Sequence, residues 1–309
     1  MILKNSQFKE ILDLWKIEFS ETVPLNIPGS PERASDRFAI KDTKNRKFIL
    51  EKHHFWNKKR KTAIATNISL LKGQGYERCQ PYLMSANNQT VEEFENRCWM
   101  VQPYVENDHL KRPDYLDNGE MGRNCARRLI ELKNIDSSKL IDTVEGFCLK
   151  EHTENLLKKI EGSRHVKKDI SKILSIVRER FLPELDSVDK IFSHGDLHPL
   201  NILWKDNDVK VIIDWEFSGF RYEFTDVANL IGCLGFEHPT AFKRDFYLSL
   251  MDELDKNNYF SKKTRENIFL YVFGFRFSAW LNEWHKKNDI EMIELELDYL
   301  EILTTLDRN

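Results

Sequence analysis

His194-Gly195-Asp196-Leu197-His198-Pro199-Leu200-Asn201, followed by Val211-Ile212-Ile213-Asp214-Trp215-Glu216, decides the reading of this chain. The first stretch sets an aspartate and an asparagine in one loop, and the second ends an apolar strand on another aspartate. Phosphoryl transfer needs such a set: a carboxylate to orient a hydroxyl, and two hard oxygen ligands for magnesium on a nucleoside triphosphate. Gly195 permits a tight backbone path beside Asp196. Residues 201–204 and 209–214 read as short strands joined by Lys205-Asp206-Asn207-Asp208, a hairpin that brings Asn201 and Asp214 close together. A lone His-x-Asp-x-x-x-x-Asn match arises by chance on the order of a few per cent of the time in a chain this long. Requiring the apolar strand that ends in aspartate lowers this well below about one per cent.

Around that island the composition is ordinary for a globular protein. Of 309 residues, 41% are hydrophobic and 31% charged. Forty-seven basic against fifty acidic side chains give a net charge of −3, which argues against a nucleic-acid or membrane partner. The five cysteines are odd in number, scattered and without C-x-x-C spacing, as in a reducing cytosol. Residues 1–20 are interrupted by charges, so no secretory leader is expected, and the most apolar run, 268–281, is short for a membrane span and holds Arg276. A cytoplasmic protein is expected.

Phe8, Ile11, Leu12, Trp15 and Phe19 recur at helical spacing and predict a helix over 6–19. Strands are expected at 37–41 and 47–52 across a polar hairpin, then a basic helix over 57–72 ended by Gly73 and Gly75. Further strands are expected at 82–84 and 99–105, with Pro103 leaving the sheet. Beyond residue 107 the pattern turns helical, at 119–133, 150–160, 164–181, 240–256, 262–287 and 290–306, around the island at 191–214. The fold class is α+β: a small β-rich N-terminal lobe, 1–104, and a larger, mainly helical C-terminal lobe, 105–309.

His194-Gly195-Asp196 through Asn201, with Ile213-Asp214-Trp215-Glu216, resembles the aminoglycoside phosphotransferase/choline kinase family of protein-kinase-like enzymes. The resemblance implies a protein-kinase-like two-lobe fold. It also implies transfer of the γ-phosphoryl group of ATP (or GTP) to a hydroxyl of a small metabolite such as an amino alcohol, a sugar or an aminoglycoside-like molecule. Asp196 would be the catalytic base, and Asn201 and Asp214 would ligate Mg2+, as two ions with the nucleotide. His194 is expected to fix the loop by hydrogen bonding. His198 would contact phosphate or substrate or brace the loop. Trp215 is expected in the core, and Glu216 sits two residues from a metal ligand, within reach of a second magnesium through water. Asp226, in a segment like the family's Asp-Leu-Ala, reads as a carboxylate at a helix N-terminus.

The nucleotide side matches the family less well. The backbone from Gln102 to Tyr104 would pair with the adenine edge, and Pro28 to Ser35 would cover the phosphates, with Ser30 and Arg33 as donors. On the strand 47–52 the position where relatives carry the phosphate-binding lysine holds Glu51, and Lys52 follows. A one-residue displacement sends a side chain to the opposite face unless a bulge intervenes. Three readings follow: a bulged strand using Lys52, which the sequence favours; a substitute such as Arg33 or Arg37; or weakened nucleotide binding. The helix 57–72 has no acidic residue to pair with a strand lysine, and Lys58-Lys59-Arg60-Lys61 reads as a solvated face.

Candidates for the acceptor pocket are Glu237, Arg276, Trp280, Glu283 and Trp284, because aromatic faces beside a carboxylate attract a cationic amino group. Phe269, Val272, Phe273, Arg276, Trp280 and Trp284 read equally as an ordinary core stripe. Two other functions compete. A catalytically silent nucleotide-binding protein would account for Glu51. A protein kinase is disfavoured because no Ala-Pro-Glu segment follows Asp214.

Overall fold

The computed structural model describes residues 3–24, 36–144, 148–161 and 170–306. Ser30 and Arg33, with the rest of 28–35, lie outside the described residues. The described strands are β1 (Phe19–Val23), β2 (Asp36–Asp42), β3 (Lys47–His54), β4 (Glu92–Phe94), β5 (Arg97–Pro103), β6 (Lys190–Ser193), β7 (Ile202–Lys205), β8 (Asp208–Ile212) and β9 (Gly219–Tyr222). The helices are α1 (Asn5–Asp13), α2 (Lys58–Gly73), α3 (Gly119–Lys133), α4 (Leu149–Glu161), α5 (Ser171–Ile176), α6 (Leu182–Glu184), α7 (Thr225–Glu237), α8 (Asp245–Lys256), α9 (Lys262–Glu266), α10 (Ile268–Phe275), α11 (Asn282–Lys287) and α12 (Ile290–Leu306). This is the α+β class expected. No described helix is long and apolar enough to cross a membrane.

The chain divides into two compact units, the first made of Met1–Leu110, Asn134–Thr143 and Leu200–Phe217, the second of the remainder. The β7–β8 hairpin belongs with the first unit. Its anchors explain why. Arg78 donates to the Val209 carbonyl at 2.9 Å, the Ile212 amide donates to the Arg78 carbonyl at 2.7 Å, and Asp108 and Trp204 form an isolated bridge. Segment 134–143 is held by two side-chain amides, Asn67 of α2 and Gln74 just past its end. Asn67 exchanges two hydrogen bonds with the Ile141 backbone at 2.7 and 2.8 Å, and Gln74 two with Asp136 at 2.9 and 3.0 Å.

The first unit is built on an antiparallel five-stranded sheet of order β1-β2-β3-β5-β4. One face packs on α1, joining Phe8, Ile11, Leu12 and Trp15 to Ile40, Phe48, Leu50, Trp99 and Val101. The other face carries Cys98 and Met100 against Ala65 of α2. Strand alternation therefore puts Phe48, Leu50 and Lys52 towards α1, and Ile49, Glu51 and His53 on the opposite face.

Two expectations fail here. The N-terminal helix ends at Asp13 rather than 19, since Lys16 takes a left-handed φ of 54° and Phe19 enters the sheet as β1, opposite Asp42. Residues 82–84 form no strand, although the Leu83 amide donates to the Val101 carbonyl at 2.7 Å.

In the second unit, β6 and β9 form a short antiparallel pair. α7 is buried at almost every position, and Phe224, just before it, stacks on Tyr271 of α10 with ring centroids 4.2 Å apart. α3 and α8 approach so closely at Gly122 that a Cβ there would lie 2.1 Å from the Phe246 carbonyl oxygen. The long helical pattern at 262–287 is α9, α10 and α11, with a π-type turn, Arg276–Leu281, linking the last two.

Candidate active site

A pocket open to solvent lies in the first unit. Ile49, Ile64, Ile68 and Ile212 give it apolar walls, while Arg37, Glu51, Tyr82, Gln102, Asp214 and Glu216 supply polar groups. A slot with apolar walls and a few fixed polar groups suits a purine nucleotide. Gln102 is on its lining, but Tyr104 is not, and the Tyr104 amide already donates to the Lys47 carbonyl at 3.0 Å.

Asn201 and Asp214 flank the β7–β8 hairpin, whose turn residues Asp206 and Asn207 take left-handed φ of 50° and 62°. The Ile213 amide donates to the Asn201 carbonyl at 2.9 Å, joining the chain beside both candidate ligands. Asp214 itself holds a φ of 67°, an unfavourable conformation for a residue with a Cβ and one concentrated at functional sites. A carboxylate and a neutral amide oxygen fit magnesium, which takes one or two protein ligands and completes its shell with phosphate and water. Among the described residues no group of three or more His, Cys, Asp or Glu forms a dedicated metal cage.

Lys52 is not at this pocket. The β2–β3 and β3–β5 registers run without a shift through Glu51 and Lys52, so the bulge favoured from sequence does not exist. Lys52 lies on the α1 face, 2.9 Å from Asp36 and 5.8 Å from the Trp99 ring centroid. Glu51 occupies the pocket face instead. Its Oε1 accepts from Arg37 Nε at 2.8 Å, and its Oε2 accepts from the Tyr82 hydroxyl at 3.0 Å and faces His53 Nε2 at 3.3 Å. Burial pushes this carboxyl up, but Arg37, the His53 contact and Lys61 together hold it well below the usual carboxylate range.

The basic turn of α2 is a solvated face only in part: Lys59 is exposed and Lys58 half-exposed, but the other two turn inward. Lys61 is buried and forms an ion pair with Glu216, whose backbone carbonyl accepts from Arg60 and, at 3.0 Å, from the Thr143 hydroxyl. The strand lysine and helix glutamate of protein kinases are therefore replaced by a strand glutamate and a helix lysine, each with another partner. Trp215 is buried in the core beside Tyr76.

In the second unit the loop that carries His194, Gly195 and Asp196 is held by α7. Asp226, buried, accepts from the amides of His194 and Gly195, both at 2.8 Å, and Gly195 takes the φ of 82° that glycine tolerates. Burial raises the Asp226 carboxyl to about 6 against the lowering effect of these two bonds, with the Asp196 charge adding to the rise. His194 is fully buried, and its Nδ1 accepts from the Asp196 amide at 3.3 Å. Asp196 receives a bond at 3.3 Å from the Asn229 side-chain amide, whose oxygen accepts from Trp280 Nε1 at 2.8 Å. His198 Nε2 lies 3.9 Å from the Asp196 carboxylate, and its ring meets Trp280 edge-on at 6.0 Å.

Asn229 escaped the sequence reading. It lies three residues after Asp226 and so shares its helix face, a signal hidden by the apolar residues around it.

The proposed acceptor residues do not form one set. Arg276 is 1% exposed, paired with Glu296 at 2.7 Å and packed among Phe236, Trp280 and Tyr299. It belongs to the interior, as the core-stripe reading has it. Glu237 is bound by Arg112 and the Tyr115 hydroxyl, both at 2.8 Å. Trp284 donates to Glu296 at 3.4 Å, and Glu283 lies half-exposed, 3.8 Å from Lys286 and from Lys287.

A family model described as "Phosphotransferase enzyme family" matches residues 29–250. The chain belongs to that family and is a phosphotransferase with an alcohol group as acceptor. Solved structures with the same fold include an amicoumacin kinase in complex with AMP-PNP, Ca2+ and Ami, at 13% identity and TM-score 0.69, covering 98% of this chain and 94% of that one. A spectinomycin phosphotransferase, APH(9)-Ia, in complex with ADP and spectinomycin, matches at 11% identity and TM-score 0.61, covering 98% of each chain. A microcompartment-associated aminopropanol kinase matches at 15% identity and TM-score 0.63, covering 99% of this chain and 97% of that one. These likenesses establish the protein-kinase-like fold. Among curated proteins, none matches this chain in sequence at a significant level.

Proposed function

We propose that this phosphotransferase moves the γ-phosphoryl group of ATP (or GTP), with Mg2+, to a hydroxyl of a small amino alcohol, sugar or aminoglycoside-like metabolite. The observation that carries the reading is the pairing of Asn201 and Asp214 by one hairpin, with Asp214 in a left-handed backbone on the wall of an apolar-sided pocket. Asn201 and Asp214 would hold the metal, which when bound neutralises phosphate charge and fixes the orientation of the phosphates. Asp196 orients the acceptor hydroxyl and receives its proton. Asn229, bonded to Trp280, fixes the Asp196 rotamer, so the carboxylate is pre-positioned before substrate arrives. Asp226 keeps the loop backbone in place by accepting the His194 and Gly195 amides.

The test is a coupled ADP-release assay over amino alcohols, simple sugars, nucleosides and amino-sugar antibiotics. One class of acceptor should raise ADP release well above the rate with water alone. Asp196→Ala should lower that substrate-dependent rate by about 10²–10⁴-fold, the usual contribution of a positioned general base. Full turnover by Asp196→Ala would remove Asp196 from the role.

A further inference from the structure

In kinase-like enzymes the side chain that meets the nucleotide phosphates is a lysine on the third strand of the N-terminal sheet. Here the pocket-facing residue at that place is Glu51, and Lys52 lies on the other face with Asp36 and Trp99. Yet the pocket lining contains three carboxylates, Glu51, Asp214 and Glu216, and with Mg2+ offsetting Asp214 a triphosphate there still calls for a protein cation to offset the others. Lys61 is buried against Glu216. Among the described residues that line the pocket one is cationic, and it is Arg37.

We propose that Arg37, carried on β2 instead of β3, is the cation that receives the nucleotide phosphates, and that Glu51 is its positioning residue. The assignment rests on the nucleotide reading above. Arg37 and Glu51 are direct partners in the β2–β3 register, so their side chains rise from adjacent strands on the same face. Nε and Nη2 of Arg37 both lie 2.8 Å from Glu51 Oε1. Glu51 is in turn fixed by Tyr82 and His53. The Glu51 side chain is 5% exposed and that of Arg37 18%, so the carboxylate forms the inner end of the pair and the guanidinium the outer. A guanidinium has five donors in a rigid fork that matches phosphate as well as carboxylate. One carboxylate oxygen does not exhaust them. Arg37 lines the same pocket as Asp214, the residue assigned to the metal.

The opposing possibility is that Arg37 merely neutralises a buried glutamate. Calorimetric titration of wild type, Arg37→Gln, Arg37→Lys, Lys52→Met and the double variant Arg37→Gln/Glu51→Lys, each with MgATP and with adenosine, separates the two. Arg37→Gln should weaken MgATP binding by roughly 10–100-fold, as loss of a charge-assisted phosphate contact does. Adenosine binding should change by less than about threefold, because adenosine has no phosphate for the guanidinium to meet. Arg37→Lys keeps the charge and should bind MgATP more tightly than Arg37→Gln. Adding Glu51→Lys to Arg37→Gln returns a cation to β3 and should recover MgATP affinity. Lys52→Met should stay within about twofold of wild type, as expected of a side chain outside the site.

Unchanged MgATP affinity in Arg37→Gln overturns the assignment, as does an equal loss for ATP and adenosine, or a loss in Lys52→Met as large as in Arg37→Gln. A wild type that binds neither nucleotide nor nucleoside sinks the nucleotide reading itself, and this assignment with it.

Discussion

Two backbone amides, those of His194 and Gly195, converge on the single carboxylate of Asp226. An ionised acid accepts both bonds, whereas a protonated one must turn a hydroxyl towards one of the donors. The group titrates near 6 because burial outweighs the two bonds. Its folded pKa lies above the ordinary value of 3.8. Its contribution to stability is therefore full below about pH 4 and is lost as the pH rises through about 6. Over that window the loss amounts to about 3 kcal/mol, two pKa units at 1.36 kcal/mol each. Asp226→Asn should abolish this component, so in urea titrations from pH 4 to 8 the stability difference should move in the variant's favour by about that amount. The same substitution removes one acceptor from the loop and should lower kcat roughly tenfold, the effect of one lost hydrogen bond to a charged group. A variant with the wild-type pH–stability slope would show that Asp226 does not titrate in this range.

At the level of elements, the contact between α3 and α8 is a close backbone approach rather than a side-chain layer. Gly122→Ala would drive a methyl into the Phe246 carbonyl, which no rotamer change relieves. We expect a destabilisation of about 1–3 kcal/mol in denaturant unfolding, the range for overpacking a tight core. A neutral substitution would mean that the two helices separate freely.

The elements also show what the sequence could and could not disclose. Period-two alternation in β3 already sends Lys52 to the face opposite Glu51, and the unshifted register obeys it; the bulge favoured from the sequence set that local signal aside and does not exist. The β7–β8 hairpin was legible, because its polar turn and flanking apolar runs are local signals. The burial of Lys61 was not, since its partner Glu216 is far along the chain and nothing within α2 announces it. β1 was missed because Phe19 happens to extend the helical spacing of α1, while the residue that breaks the helix, Lys16, carries no glycine or proline signal. Asn229 was hidden in a helix buried on nearly all sides, where a single polar residue could equally have been a satisfied core amide.

For the whole molecule, the fold persists at identities of 11–15% to the three solved structures described above, as expected when packing pattern rather than individual side chains specifies it. The family match ends at residue 250, yet Trp280, which holds Asn229, and the Arg276–Glu296 pair lie beyond it. If the first unit binds MgATP, ligand linkage stabilises the native chain by about 2.7 kcal/mol at a hundredfold excess over Kd. Differential scanning fluorimetry should then show a rise in melting temperature on the order of several degrees with MgATP, and a smaller one when EDTA removes the metal. No shift at millimolar nucleotide would favour a chain that keeps the fold without the activity.

The double clasp of Asn67 on Ile141 and of Gln74 on Asp136 has a consequence for control. Many protein kinases are switched by swinging the helix equivalent to α2 towards or away from the sheet. Here its first turn is fastened by Lys61 to Glu216, and its later turns are stitched to 134–143. A helix moored at both ends is a fixture, not a lever. Freeing it would require breaking the Lys61–Glu216 ion pair and the four amide hydrogen bonds together.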